Sequence, residues 1–428
     1  MTSNFLKIKY KDILHWVLWI CLTQGIISSY LGFSKINYIC DVLLIILLVL
    51  KLASRTLYVE KIAGKIEYIP ILLFVVVAWI GWSLNTVPIP MALWGVRNYG
   101  RFFLYFIFCS TMLDSSDVDE MENAFIKIFP LHCILIAYQY VVQGLNQDLL
   151  SGIFGTTQGG NGGLMIYLVI MMCIVMARYE YKELSLVKFI TYLVLILINA
   201  ALSELKFLFV VAVLLLIWYL LMSRRKGRGM VMALAFLIII YLGAQILYYV
   251  FPEYANFLDI DNILNQVSAQ EVYASQLDVG RTSVFSKLTP ILTNWAGKKA
   301  LWFGIGLGNA DYSSAMTFLN SAFYRAYGVM HYMWLSLGYL FVETGYIGTA
   351  VYAAFFVVLA VVSIFKYQSK TNYRNLLGTF FPIVCLILLI YNSALRSNYA
   401  YMIFAVLAWN RIGNRNVQTG NESVVRED

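Results

Sequence analysis

Two arginines stand four residues apart in an apolar stretch, Arg97 and Arg101 in ALWGVRNYGRFFLYFIF. On a helix that spacing puts both guanidinium groups on one face, about 6 Å apart along the axis. A charge at the middle of a bilayer costs about 2.5–3.5 kcal/mol on insertion scales, and two like charges repel. Something anionic is therefore expected between them. One candidate is a phosphate or diphosphate ligand, whose oxygens match the arginine fork. The other is structural pairing with an acidic side chain such as Asp41 or Glu204. Lys206 closes the hairpin Ser203-Glu204-Leu205-Lys206. It either adds a third positive charge or snorkels to water beside Glu204. Arg281 follows Gly280 directly and opens an expected helix. His331 carries an imidazole able to take a proton from an attacking hydroxyl, although a lone histidine is more often a satisfied polar residue. Arg325 and Arg396 lie near the ends of apolar stretches, where arginine either binds phosphate or anchors an interface.

The elements that must position these residues are apolar helices. The chain of 428 residues is 61% hydrophobic, 16% aromatic and 13% charged, far too apolar for a soluble globular protein. Twelve apolar runs, most of them about 18–22 residues long, read as spans. They lie at 12–31, 36–53, 68–86, 91–112, 123–143, 163–179, 188–202, 206–222, 230–250, 332–365 (broken), 376–393 and 398–410. The expected fold class is an all-α integral membrane protein of about 12 transmembrane helices, with one large external loop carrying short helices. The first run has a basic flank and no small-residue cleavage site, which fits an anchor rather than a signal peptide.

The net charge of +8 invites a nucleic-acid partner, but its distribution points elsewhere. Lys7, Lys9, Lys11, Lys51, Arg55, Lys61, Lys65, Lys127, Arg178, Lys182, Lys188, Arg224, Arg225, Lys226, Arg228, Lys366, Lys370, Arg374, Arg411, Arg415 and Arg426, 21 of the 31 Lys and Arg, fall on the inside segments or their margins when the amino terminus is inside. That is the positive-inside pattern. It puts both termini in the cytoplasm and residues 252–331 outside. The polar tail 412–428 reads as disordered. The six cysteines fall in or beside apolar runs and the three histidines are scattered, so neither a disulfide framework nor a metal site is expected. The chain reads as one polytopic domain, without a short-period repeat or an evident inverted repeat of the transporter kind.

The external loop has its own pattern. Phe257, Ile260, Ile263, Leu264 and Val267 recur at helical spacing, and a second helix is expected after Gly280, disturbed by Pro290. Trp295, Leu301, Trp302 and Phe303 suggest packing on the membrane surface. The run GIGLGN, Gly304 to Asn309, follows no βαβ unit, so it reads as a pocket-shaping turn rather than a nucleotide fingerprint. From His331 a short helix is expected to lead to a break at Glu343-Thr344-Gly345. A second outside segment, Gln143 to Gly163, contains GTTQGGNGG with Asn161, whose glycines permit close ligand approach.

Taken together, Gly280-Arg281, the turn Gly304 to Asn309, His331 and Glu343-Thr344-Gly345-Tyr346-Ile347-Gly348 resemble the O-antigen polymerase and ligase superfamily. Arg97, Arg101, Asn161 and the hairpin with Glu204 and Lys206 stand where that superfamily has other outside functional groups, so the resemblance covers most of the chain. It implies a bacterial inner-membrane glycosyltransferase that uses neither metal, nucleotide nor other cofactor. Its donor is a glycan on undecaprenyl diphosphate. Arg97, Arg101 and Arg281 would bind the diphosphate, with Lys206 in place of the arginine common in the superfamily. That substitution keeps the charge and loses the bidentate geometry. His331 would act as base on the acceptor hydroxyl or position it, and the product would be inverted at the anomeric carbon. Asn309, Arg325, Glu343 and Arg396 are further pocket candidates. The implied partners are the lipid-linked oligosaccharide, the bilayer, and possible chain-length regulator and flippase proteins. Polymerase is the favoured reading, with ligase the alternative. A flippase or other transporter is a different class of protein, against which the long loop argues.

The resemblance makes a direct prediction. Arg281→Ala and His331→Ala abolish polymer formation while membrane insertion stays intact. A glycan gel and a membrane-fraction blot of each variant strain check it, and normal polymer from both variants counts against these two residues.

Overall fold

The computed structural model describes residues 10–54, 65–157, 160–224, 226–250, 278–313, 316–369 and 372–412. The helical spacing noted from Phe257 to Val267 and the tail from residue 413 onward lie outside them. Among the described residues there is no strand.

A helix forms at each of the twelve apolar runs. They are α1 (Tyr10–Tyr30), α2 (Asn37–Ala53), α3 (Ile69–Asn85), α4 (Ile89–Met112), α5 (Ser115–Val141) and α6 (Gly160–Glu180). Next come α7 (Leu186–Leu202), α8 (Lys206–Met222) and α9 (Lys226–Val250). The loop carries α10 (Val284–Ala296), α11 (Lys298–Phe303) and α12 (Ala322–Tyr327). The last three are α13 (Ser336–Ser369), α14 (Tyr373–Tyr391) and α15 (Ala400–Ile412). Seven helical segments of the described chain are long and apolar enough to cross a membrane: α1, α2, α3, α5, α6, α13 and α14, with the single turns that open α2 and α3 counted in. The helices α7, α8 and α15 are shorter and apolar.

The bundle has a centre and a periphery. α6 and α15 are buried nearly all round, as befits helices without a polar face. α6 packs on α7 and α14, and α15 packs on α4 and α14. On the periphery, α2 and α3 present Val42, Ile45, Leu72, Val75 and Trp79 outward, with Leu72 66% exposed. An apolar outer surface of that kind suits contact with lipid rather than water.

The connections gather at two ends. One end is laced by ion pairs. Lys11 meets Asp117 at 2.7 Å, Arg178 meets Glu122 at 2.5 Å, Arg374 meets Asp119, and Arg411 meets Glu67. The other end holds the loop helices and the candidate site. Asp114 starts α5 by accepting from the backbone N–H groups of Ser116 and Asp117, while Asp117 accepts in return from the Asp114 N–H. This capping box begins the helix eight residues before its apolar run, at Ser115 rather than residue 123.

The glycine turn locks onto the break in α13. Gly345 interrupts that helix with φ 66° and ψ −166°, as its sequence suggests. The Ile305 N–H donates to Val342 O at 2.9 Å, and the Gly306 N–H to Glu343 O at 3.0 Å. Gly308 has φ 84°, and a Cβ there would run into the carbonyl of Met91 on α4. The helix expected from His331 starts later, at Ser336. His331 itself has φ 52°, and a 3-10 turn over Tyr332–Trp334 intervenes. α10 does form after Gly280 and contains Pro290.

The close approach at Gly308 sets a stability prediction. Gly308→Ala combines a left-handed backbone with a steric clash and lowers stability by about 2–4 kcal/mol. Gly162→Ala, with open space around it, changes stability by about 1 kcal/mol or less. Thermal unfolding of the detergent-solubilised variants checks both.

Candidate functional site

α4 carries Arg97 and Arg101 to a cavity of about 480 Å³ at the loop end of the bundle. Its wall bears four cations, Lys35, Arg97, Arg101 and Arg396, and one carboxylate, Asp311. Side-chain amides and hydroxyls supply much of the remaining lining, among them Ser34, Asn98, Ser397 and Asn398. The volume lies within the usual range for small-molecule sites.

The two α4 arginines share one carboxylate. Arg97 Nε donates to Asp41 Oδ2 at 2.8 Å, and Arg101 Nη1 donates to Asp41 Oδ1 at 3.2 Å. The Tyr401 hydroxyl also donates to Asp41 Oδ1, at 2.7 Å. Asp41 is buried on α2 and does not line the cavity. It therefore offsets the repulsion from behind and leaves the arginines on the wall. Each guanidinium has further supports. Arg97 stacks over Trp94 at 4.4 Å and donates to Asn98 Oδ1. Arg101 donates to Asn398 Oδ1 at 2.6 Å and to the carbonyl of Arg396 at 3.2 Å. The pairing with Asp41 is the structural alternative that the sequence left open, while Glu204 lies elsewhere.

Arg396 comes from the connection between α14 and α15. Its Nη2 donates to Asp311 Oδ2 at 2.8 Å and lies 3.7 Å from Glu343 Oε2. The guanidinium also covers the Tyr339 ring at 3.5 Å. Burial works against its charge, but Asp311 and Glu343 beside it hold the guanidinium above its ordinary pKa. Asn98 donates to Asp311, and the Gly308 N–H donates to Glu343 Oε1 at 2.8 Å. One buried network therefore joins α4, the glycine turn, α13 and the α14–α15 connection.

The other candidate residues fall into separate places. Lys206 and Glu204 form an ion pair at 2.9 Å, and Asn161 donates to Asp148. Burial, and then the nearby charge of Glu204, push the Asp148 carboxyl up. Asp148 and the Glu204 hairpin thus lie within electrostatic reach of each other. Arg281 lies over the Tyr391 ring at 4.3 Å and donates from Nε to Tyr391 O at 3.0 Å. Tyr391 in turn stacks on Phe207 at 3.6 Å, which brings Arg281 towards the Lys206 hairpin. His331 Nδ1 lies 2.8 Å from Asp278 Oδ1. Asn309 donates to Ile305 O at 3.0 Å, and Arg325 donates to Asn320 O at 3.0 Å. None of Asn161, Glu204, Lys206, Arg281, Asn309, Arg325 and His331 lines the cavity. Arg97, Arg101 and Arg396 line it together, with Glu343 behind Arg396.

Sequence reasoning passed over Lys35, Asn98, Asp278, Asp311 and Asn398. Two of them carried a signal. Asn98 is a second polar residue beside Arg97 inside an apolar helix, and Asp311 follows the glycine turn by two residues. The chain matches no family model, and no curated protein matches it significantly.

The shared arginine makes a prediction about stability. Arg396→Ala leaves Asp311 and Glu343 buried without their cation and costs about 3–5 kcal/mol. Arg325→Ala, which removes only a surface contact, costs about 0.5 kcal/mol or less. Comparing the melting temperatures of the two purified variants checks the difference.

Proposed function

We propose that the chain is a polymerase of bacterial surface polysaccharide, such as O-antigen, capsule or exopolysaccharide. In this reading it transfers a glycan from undecaprenyl diphosphate to a sugar hydroxyl of the next lipid-linked repeat unit. It works in the cytoplasmic membrane, with twelve spans, both termini in the cytoplasm and residues 252–331 outside. The observation that carries the proposal is the cavity wall, where four cations face one carboxylate. A departing diphosphate needs positive charge held ready in a site sheltered from water. Two arginines and a lysine with no acidic partner on the wall are suited to that. Arginine forks can address two phosphate oxygens at once, and Lys35 adds a point charge at the same site.

The chemistry is a displacement at the anomeric carbon. The acceptor hydroxyl oxygen forms the new bond to that carbon. The bond to the diphosphate oxygen breaks, and the diphosphate leaves with the bonding pair. The hydroxyl proton passes to a base, for which His331 is the nearest chemical match on the outer loop. Arg97 and Arg101 stabilise the leaving charge, and attack from the opposite face inverts the configuration. The amide and hydroxyl groups of the wall suit hydrogen bonding to sugar hydroxyls. Arg281, stacked on Tyr391 next to Phe207 of the neighbouring hairpin, marks a second cationic place, where the growing chain or its carrier would rest.

A glycan gel of the strain lacking this chain tests the proposal. The expected pattern is a single repeat unit on the acceptor, extending to a ladder when the chain is restored. Full polymer held on the lipid carrier means a ligase instead. Single units trapped on the cytoplasmic face mean a flippase and overturn the enzyme reading.

A further inference from the structure

His331 and Asp278 form a pair that the cavity does not explain. Asp278 is buried, with 8% of its side chain exposed against 38% for His331. The Val279 N–H donates to Met330 O at 2.9 Å, so backbone pairing sets the two residues side by side. Lys287 donates to the carbonyl of Asp278 and fixes that strand of loop from the α10 side. The imidazole stacks on Trp334 at 3.9 Å, with 19° between the planes. His331 adopts its left-handed φ of 52° to reach this position, a conformation that costs a residue other than glycine of order 1 kcal/mol or more. Nδ1 faces Asp278 Oδ1 at 2.8 Å, and Nε2 has no hydrogen-bond partner among the described residues.

We infer that Asp278 is a positioning residue: it holds the Nδ1–H tautomer of His331 so that Nε2 is free to take a proton from the acceptor hydroxyl. This rests on the polymerase reading for the identity of the proton donor. A buried carboxylate on one ring nitrogen selects the tautomer and the ring orientation. The stack on Trp334 fixes the ring plane, and the partly open face leaves Nε2 accessible. Met333, two residues along the chain from His331, lines the cationic cavity, which links the dyad to that site through the backbone.

The orientation can be read without any assumption about activity. His15 and His132 are buried, so diethyl pyrocarbonate acting on the intact, purified chain should mark His331 first. Its rate of carbethoxylation is followed by peptide mass spectrometry in wild type, Asp278→Asn and Asp278→Glu. Asparagine removes the charge and offers an amide N–H that draws Nδ1 into the acceptor tautomer, and the reaction at His331 should slow severalfold. Glutamate, which keeps the carboxylate, should recover most of the rate. In the glycan gel Asp278→Asn should lose long polymer and Asp278→Glu should regain it. An unchanged carbethoxylation rate in Asp278→Asn overturns the dyad. A slowed rate with a normal polymer ladder overturns its part in the reaction. If deleting the whole chain leaves the ladder unchanged, the polymerase reading fails, and the carbethoxylation result then speaks for the tautomer alone. Should Asp278→Asn fail to reach the membrane, Asp278→Ser, which removes the carboxylate with a smaller side chain, takes its place in both readouts with the same expected and overturning results.

Discussion

A guanidinium among apolar helices has to be matched by a carboxylate and by hydrogen bonds, because an unpaired buried charge costs several kcal/mol. Arg396 is the residue on which this constraint falls hardest. It meets Asp311 from the loop and Glu343 from α13, and it covers Tyr339. To supply Asp311, the loop has to fold down onto the helix bundle. The glycine turn permits that, since Gly304, Gly306 and Gly308 all take positive φ where the turn meets α13 and α4. The break at Gly345 is the other half of the fit. Charge pairing and backbone freedom therefore act together to seat one loop against α13, α4 and the α14–α15 connection.

The same rule shapes the cavity. Asp41 neutralises the mutual repulsion of Arg97 and Arg101 from outside the wall. With the countercharge behind them, the arginines stay ordered while their front remains available to an anion. A wall of this kind is prepared for a charged leaving group before that group arrives, which is how fixed dipoles and charges lower a barrier. The proposed polymerase chemistry draws on that preorganisation. The ion pairs at the opposite end of the bundle, such as Arg178 with Glu122, use the same pairing for anchorage.

Much of the fold was legible because apolar run length and helix length are governed by the same physics. Each of the twelve apolar runs contains a helix. The start of α5 was misplaced because its first turns are acidic, and its signal was the cap at Asp114 rather than hydropathy. The helix expected at His331 was displaced for a tertiary reason: its backbone takes a left-handed turn towards Asp278. The break at Glu343-Thr344-Gly345 was legible, since a glycine after two polar residues has little reason to sit in a span otherwise.

The site was legible in part. Paired arginines in an apolar helix declare themselves, and their alternative partner Asp41 was within view. The convergence of Arg97 and Arg101 with Arg396, some 300 residues away along the chain, is set by tertiary packing and leaves no local trace. Lys206 and Glu204 pair with each other, as interfacial hairpins often do, and neither lines the cavity. Lys35 was hidden because a lysine in a short connection is ordinary by itself. Its meaning comes from the three arginines that share its wall.

The most direct test of this account is binding of undecaprenyl diphosphate to the purified chain, measured by native mass spectrometry in wild type and in Arg97→Gln and Lys35→Gln variants. The account predicts a one-to-one complex in wild type and affinity about tenfold weaker in each variant, as expected when one charged contact to phosphate is lost. Equal binding by all three proteins, or no binding by wild type, would contradict it.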